Sequence, residues 1–142
     1  SPLDFSVAVY DDREDYVNSF PRLPGVTARL FSVKDIPGLL RGEPYIIVAS
    51  YSPEIDYRIM KAVLEHSPSP RYLGVIASRK KKQHFLSSLE KDLPGGFHPE
   101  NIYTPCGLNI GTGKPHEIAL AVAAEILAVQ QGMDAVIHVR DG

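Results

Sequence analysis

Basic and small polar side chains meet in one short stretch, Ser78-Arg-Lys-Lys-Lys82, directly after the apolar run Leu73 to Ala77. Serine is a favoured N-cap residue, and the residues after it favour helix. A helix start offers backbone N–H groups and the positive end of the helix dipole. Ser78, Arg79 and Lys80 would hold a phosphate there by donors, dipole and charge together. The same residues also describe a plain capped helix with a solvated basic face. A second candidate is the glycine-rich stretch from Cys106 to Pro115. Gly107, Gly111 and Gly113 would let backbone approach a ligand, or make a tight loop. Lys114, beside Pro115 at a helix start, is electrostatically unfavourable there, and a nearby anion would offset it. The third candidate is Asp11-Asp12, at the end of the apolar run that starts at Phe5. In dinucleotide-binding folds an acidic residue at the end of the second strand bonds ribose hydroxyls. Asp11 is the better placed of the pair, although an acidic pair after a strand is also an ordinary solvated turn.

Other chemistries find less support. Cys106 is the single cysteine, so no internal disulfide framework and no Cys-type metal spacing exist. Beside the glycine loop it reads as a sulfur carrier or metal thiolate, or as a small buried hydrophobe. His66, His84, His98, His116 and His138 are scattered, with no ligand pair at helical or hairpin spacing.

These candidates need elements to hold them. Leu73 to Ala77 is a near-continuous apolar run, as in a strand buried on both faces of a parallel sheet. Strands are also expected at Phe5–Tyr10, Val26–Phe31, Pro44–Ser50 and Asn101–Pro105. Asp15 to Pro24 reads as irregular or briefly helical, and Val33 to Leu40 as a short interrupted helix. A helix opens at Ser52-Pro53, with proline at its first position and Ile55, Ile59, Met60, Val63 and Leu64 on one face. A second runs from Ser78 to about Leu89, with Phe85, Leu86 and Leu89 toward the sheet and Lys80, Lys81 and Lys82 toward water. A third runs from Pro115 to Gln131, with Ile118, Val122, Ile126 and Val129 at helical spacing. Residues 132–142 are expected to form a tail or edge strand.

Strands followed by strand–helix pairs predict an α/β protein. The expected fold is a Rossmann-like parallel sheet with flanking helices, in one domain spanning 1–142. Only four residues precede Phe5, so the first βα unit, with its glycine-rich turn, is expected to be absent. The 142 residues carry a net charge of −2, with 44% apolar and 23% charged side chains. That balance suits a globular domain and argues against a general nucleic-acid binder. No apolar run reaches the length of a membrane span. A cytoplasmic location is expected.

Tyr72-Leu-Gly-Val-Ile-Ala-Ser-Arg-Lys-Lys, then Pro105-Cys-Gly-Leu-Asn-Ile-Gly, then Pro115-His-Glu-Ile-Ala-Leu-Ala-Val-Ala-Ala-Glu-Ile-Leu-Ala, resembles the C-terminal Rossmann-like domain of the XdhC/CoxI family. That family reads roughly Y-I-G-L-I-G-S-R-R-K, P-I-G-L-D-I-G and T-P-E-E-I-A-x-S-I-x-A-E-I. Asp11-Asp12-Arg13 matches its V-D-D-R. The resemblance covers residues 5 to 132. It implies an accessory factor for maturation of molybdenum hydroxylases such as xanthine dehydrogenase, one that binds the molybdenum cofactor and delivers it to the apoenzyme. The cofactor-binding residues then expected are Asp11, Asp12, Ser50, Ser78, Arg79, Lys80, Gly107, Asn109 and Gly111. The ligand would be molybdopterin or NAD(P). The partners would be an apo molybdenum hydroxylase and a cysteine desulfurase, with the chain itself in a homo-oligomer. The sequence departs from the family at Ala77, where glycine is usual, and at Ser50-Tyr-Ser52, where Thr-His-Asp is common. It also departs at Asn109, where aspartate is usual, and at Lys114, where threonine caps the helix. An NAD(P)-dependent oxidoreductase domain and a structural dimerisation domain are the alternatives.

Overall fold

The structure, a computed structural model, describes residues 5–107, 114–132 and 138–141. The chain forms two compact units, Ser1–Leu39 and Leu40–Gly142.

In the first unit, β1 (Val7–Asp11), α1 (Glu14–Ser19) and β2 (Val26–Leu30) make one βαβ unit. The strands pair in parallel, from Val7 opposite Val26 to Asp11 opposite Leu30. The brief helix expected after Asp15 is α1, which carries Glu14 and Asp15 at its positive N-terminal end. A 3₁₀ turn at Val33–Asp35 follows. There the Ser32 hydroxyl faces the turn while its backbone N–H donates to Asp35 Oδ2 at 2.8 Å. The single turn α2 (Ile36–Leu39) ends the unit.

The second unit is a three-stranded parallel sheet in the order β3 (Tyr45–Val48), β4 (Tyr72–Val75), β5 (Ile102–Tyr103). Each strand leads into a helix: α3 (Pro53–His66), α4 (Arg79–Asp92) and α5 (Pro115–Gln130). All four residues of β4 are buried, as the apolar run predicts for a central strand. The apolar run continues to Ala77, but β4 stops at Val75. Ile76 still donates its N–H to the Val48 carbonyl at 3.1 Å, yet its side chain is 45% exposed. The strand expected over 101–105 likewise shortens to the two residues of β5. The chain beyond it stays beside β4 through Cys106 N–H to the Val75 carbonyl at 3.2 Å.

Helix faces follow the sequence pattern except at Lys82, expected toward water but half-buried with its Nζ donating to the Arg140 carbonyl at 3.0 Å, and at Ile118 and Val129, which are half-buried. Met60, Val63 and Leu64 of α3 and Phe85 and Leu89 of α4 are buried, while Ile55, Ile59 and Leu86 are half-buried. On α5 the buried set is Ala121, Val122, Glu125, Ile126 and Ala128. Among the described residues no helix is long and apolar enough to cross a membrane.

Candidate functional site

Parallel strands all end at the same edge of a sheet. In the second unit that edge is formed by the ends of β3, β4 and β5, so it carries Ser50, Ser78 and Gly107. Open α/β sheets bind ligands outside this carboxyl edge. Three of the sequence-predicted residues are thereby brought together, with Lys80 beside them in the first turn of α4.

Ser78 does what its type predicts. Its backbone is extended and its exposed side chain accepts the Lys81 N–H at 3.3 Å, capping α4. The first turn of α4 contains no acidic residue. A carboxylate near a helix start stabilises it, whereas consecutive cations there oppose the dipole. This end of the helix is therefore suited to a bound anion. Lys80 and Lys81 are exposed, and Lys82 is half-buried. Arg79 begins the helix, but its side chain lies outside the described part. On the neighbouring helix start, the Ser52 hydroxyl bonds Glu54 Oε2 at 2.6 Å. That bond, then the backbone, then a weaker pull from Lys81, hold Glu54 below the usual carboxylate range.

Ser50 is built into its own turn. Its N–H donates to the buried Asp56 at 2.8 Å, and its hydroxyl donates to the Ser52 carbonyl at 2.8 Å. Its immediate role is to shape the β3–α3 corner.

Gly107 is held from both sides. Its N–H donates to Glu125 Oε1 at 2.8 Å, and its carbonyl accepts the Val139 N–H at 2.9 Å. Its φ is +113°, and an added Cβ would lie 3.2 Å from Ala121 Cβ. The glycine is thus required by backbone conformation and close packing on α5. Asn109 and Gly111 lie outside the described residues.

In the first unit, Asp11 ends β1 as expected. Arg13 engages it with Nε to Oδ1, Nη2 to Oδ2 and its backbone N–H to Oδ1, each at 2.9 Å. The Arg13 side-chain bonds are the largest cause that lowers the Asp11 pKa, ahead of its backbone N–H and charge, while partial burial opposes them. The same guanidinium lies 3.6 Å over the Tyr16 ring. A ligand hydroxyl at Asp11 would therefore share the carboxylate with Arg13. Asp12 follows at the strand end.

Glu125 is not singled out by the sequence pattern, and it organises the second unit. Its carboxylate is fully buried. Oε1 accepts the Tyr72 hydroxyl at 2.6 Å and the Gly107 N–H at 2.8 Å, and Oε2 lies 2.6 Å from His138 Nδ1. Tyr72 stacks on Tyr103 with ring centroids 4.6 Å apart. Burial, then the bond to Glu125, push the Tyr72 phenol far above its usual range. One signal of this role is present in the sequence: a lone carboxylate among alanines on the core face of α5 must find partners. Cys106 lies in the same neighbourhood, 7% exposed. Burial first, then the charge of Glu125, push its thiol up to about 12. It is a protonated core thiol at neutral pH, and nucleophilic or metal-binding thiolates need the opposite shift. Among the described residues no group of three or more His, Cys, Asp or Glu side chains is placed to hold a metal.

Parallel strands, each passing into a helix, with a capped basic helix start at their carboxyl edge, define a Rossmann-like α/β domain. The chain matches the XdhC Rossmann domain family over residues 1–126 and belongs to that family. It is 30% identical over 131 residues to the Escherichia coli (strain K12) protein YqeB, covering 90% of this chain and 24% of that one. It is 31% identical over 85 residues to a Bacillus subtilis (strain 168) protein described as a probable xanthine dehydrogenase subunit, covering 60% and 23%. A crystal structure described as a xanthine dehydrogenase from Bacillus halodurans superposes with a TM-score of 0.67 at 20% identity, covering 94% of this chain and 38% of that one. That likeness establishes the shared fold. The chain spans about a quarter of the length of the curated relatives it matches.

Proposed function

We propose that the chain is the Rossmann-like domain of a maturation factor for molybdenum hydroxylases of the xanthine dehydrogenase type. It binds a phosphate-bearing cofactor of the molybdopterin or nucleotide class at the carboxyl edge of its three-stranded sheet. The observation that carries this reading is the start of α4. Ser78 caps it, basic residues alone fill its first turn beside the exposed edge, and no carboxylate of that turn answers the helix dipole. The phosphate of such a cofactor fits that position, held by first-turn N–H groups, Ser78 and Lys80, with Arg79 supplying further charge. When bound, the cofactor would contribute the molybdenum chemistry of the client enzyme. The domain's own task is to hold and release it. Family membership and the xanthine dehydrogenase description of the B. subtilis relative support an apo molybdenum hydroxylase as partner. A cysteine desulfurase and a second copy of the chain are further proposed partners.

Calorimetric titration tests the reading. The purified protein is titrated with molybdopterin, NADH, NADPH and ATP, beside the Lys80→Ala/Lys81→Ala variant. Molybdopterin binding that weakens at least about tenfold in the variant is the expected result, since each charge-assisted bond contributes about 1.5–3 kcal/mol. Binding of NADH or NADPH alone would move the assignment to an oxidoreductase domain. Equal binding by wild type and variant would overturn the placement at α4.

A further inference from the structure

Helix α5 differs from the other long helices of the second unit on its outer face. α3 turns Glu54, Arg58 and Glu65 to solvent, and α4 turns Lys80, Lys81, Glu90 and Lys91. The charged residues of α5 are Glu117, in its first turn, and the fully buried Glu125. The middle of its outer face is apolar. Leu120 is 63% exposed and Leu127 is 38% exposed. They stand seven positions apart, close to two helical turns, so they share a face. Ala123 and Ala124 lie half-buried between them, and His116 and Gln131 are exposed at the two ends. A helix that is apolar all round is a covered helix, not a surface one.

We propose that this face of α5 binds the same face of a second copy of the chain, with the two helices antiparallel about a two-fold axis between Ala123 and Ala124. The inference gives the second copy proposed above a surface, and it needs nothing of the cofactor position at α4.

The order of residues along the face selects the second copy. A two-fold axis sets residue i against residue j and j against i. Outward from Ala123 and Ala124, the face reads the same in both directions: alanine, then Leu120 or Leu127, then a polar residue, His116 or Gln131. On an antiparallel copy Leu120 therefore meets Leu127, Ala123 meets Ala124, and His116 meets Gln131. Alanine at the axis lets the helix backbones approach, because interaxial distance follows the side chains at the contact. The leucines fill the space on either side, and the polar ends form a rim. No charge in the middle of the face meets its own like on the copy. Antiparallel helices also set the positive end of one dipole beside the negative end of the other, whereas a parallel pair would oppose like ends and set His116 against His116. One helix face is smaller than the standard interface of about 800 Å² per partner, so the dimer is weak and concentration-dependent.

Sedimentation equilibrium of the purified chain from about 10 μM to about 1 mM, the range of weak complexes, is the test. Wild type is expected to pass from monomer to dimer within it. Leu127→Glu places an unpaired charge in the interface twice and is expected to raise the dissociation constant at least about tenfold, as is Leu120→Lys. The double variant Leu120→Lys/Leu127→Glu sets lysine against glutamate in the antiparallel pair, and is expected to dimerise at least about tenfold more tightly than either single variant. A parallel pair would set lysine against lysine, so failure of that recovery would overturn the antiparallel geometry. Both positions are exposed, so the variants keep the fold, which thermal melts check. A wild type still monomeric at about 1 mM, or a dimer that neither single variant weakens, would overturn the inference. Either result would leave the cofactor reading to its own titration.

Discussion

Removal of the Glu125 carboxylate is the sharpest test of how the second unit is held. In Glu125→Ala, the Gly107 N–H and the Tyr72 hydroxyl both lose their buried acceptor, and His138 loses its partner. An orphaned buried donor costs about 1–3 kcal/mol. Two such donors put the loss at about 2–6 kcal/mol, against a usual domain stability of about 5–15 kcal/mol. Tyr72→Phe removes one donor and leaves the carboxylate its bond from Gly107. Its expected cost is about 1.5–3 kcal/mol, the range for a hydrogen bond to a charged group. The two changes should not add. Once Glu125 is gone, the Tyr72 hydroxyl is itself a liability, so the double variant should recover about 1–3 kcal/mol relative to the sum. The assay is urea unfolding followed by near-ultraviolet circular dichroism, where the stacked Tyr72 and Tyr103 rings report packing. A Glu125→Ala loss below about 1 kcal/mol, the lower bound for one orphaned donor, or strict additivity in the double variant, would refute the hub.

Other expectations follow from single positions. Gly74→Ala places a methyl 2.6 Å from Tyr72 Cε1 and 3.0 Å from Cys106 Cβ. Because Tyr72 is tethered to Glu125 and stacked on Tyr103, the ring cannot swing aside, and a cost of about 1–3 kcal/mol in urea unfolding is expected. Cys106 should resist iodoacetamide in mildly alkaline buffer in the folded protein and react once urea unfolds it. Its folded pKa is raised, so the unfolded chain releases the proton first. Stability linked to Cys106 is present below pH 9.0 and is lost as pH rises toward about 12, by at most about 1.4 kcal/mol per pH unit. Ser78→Ala should cost about 1 kcal/mol through loss of the α4 cap, measured by thermal unfolding with no ligand present. Asp11 has the opposite sign to Cys106. Its folded pKa is lowered, so its contribution is present above the ordinary carboxylate value of 3.8 and is lost on acidification below it. In Arg13→Ala that acid-side loss should shrink.

The parallel sheet and its helices are legible in the sequence because period and punctuation agree. Tyr72–Val75 is apolar without interruption, Ser78 is a capping residue, and Pro53 and Pro115 stand at first helical positions. Strand ends are less legible. Ile76 and Ala77 are as apolar as the residues before them, and only the short neighbouring strands limit β4. The site is legible in part. Ser78 can be placed because a cap is a local property of the chain. Gly107 stays open between a loop and a ligand contact, because its requirement comes from Ala121 and Glu125, fourteen and eighteen positions away. The pairing of Glu125 with His138 escapes a local reading for the same reason: they are thirteen positions apart, and no local pattern links them.

Glu125 also bears on how the carboxyl edge works. A buried carboxylate is costly unless every lone pair is used, and apolar residues of similar volume would often serve stability as well. Here the three donors come from three separate places: Tyr72 at the start of β4, Gly107 in the turn after β5, and His138. An apolar side chain at 125 could fill the space, but it could not fix the backbone of Gly107 in direction. The carboxylate holds the backbone of Gly107 at the carboxyl edge of the sheet. Glu125→Gln separates these two roles, because it keeps shape and an acceptor oxygen and loses the charge. If Glu125 positions the edge, Glu125→Gln should remain folded and keep Val139 protected from exchange. If stability depends on the charge itself, Glu125→Gln should fall as far as Glu125→Ala, and the positioning role would be refuted.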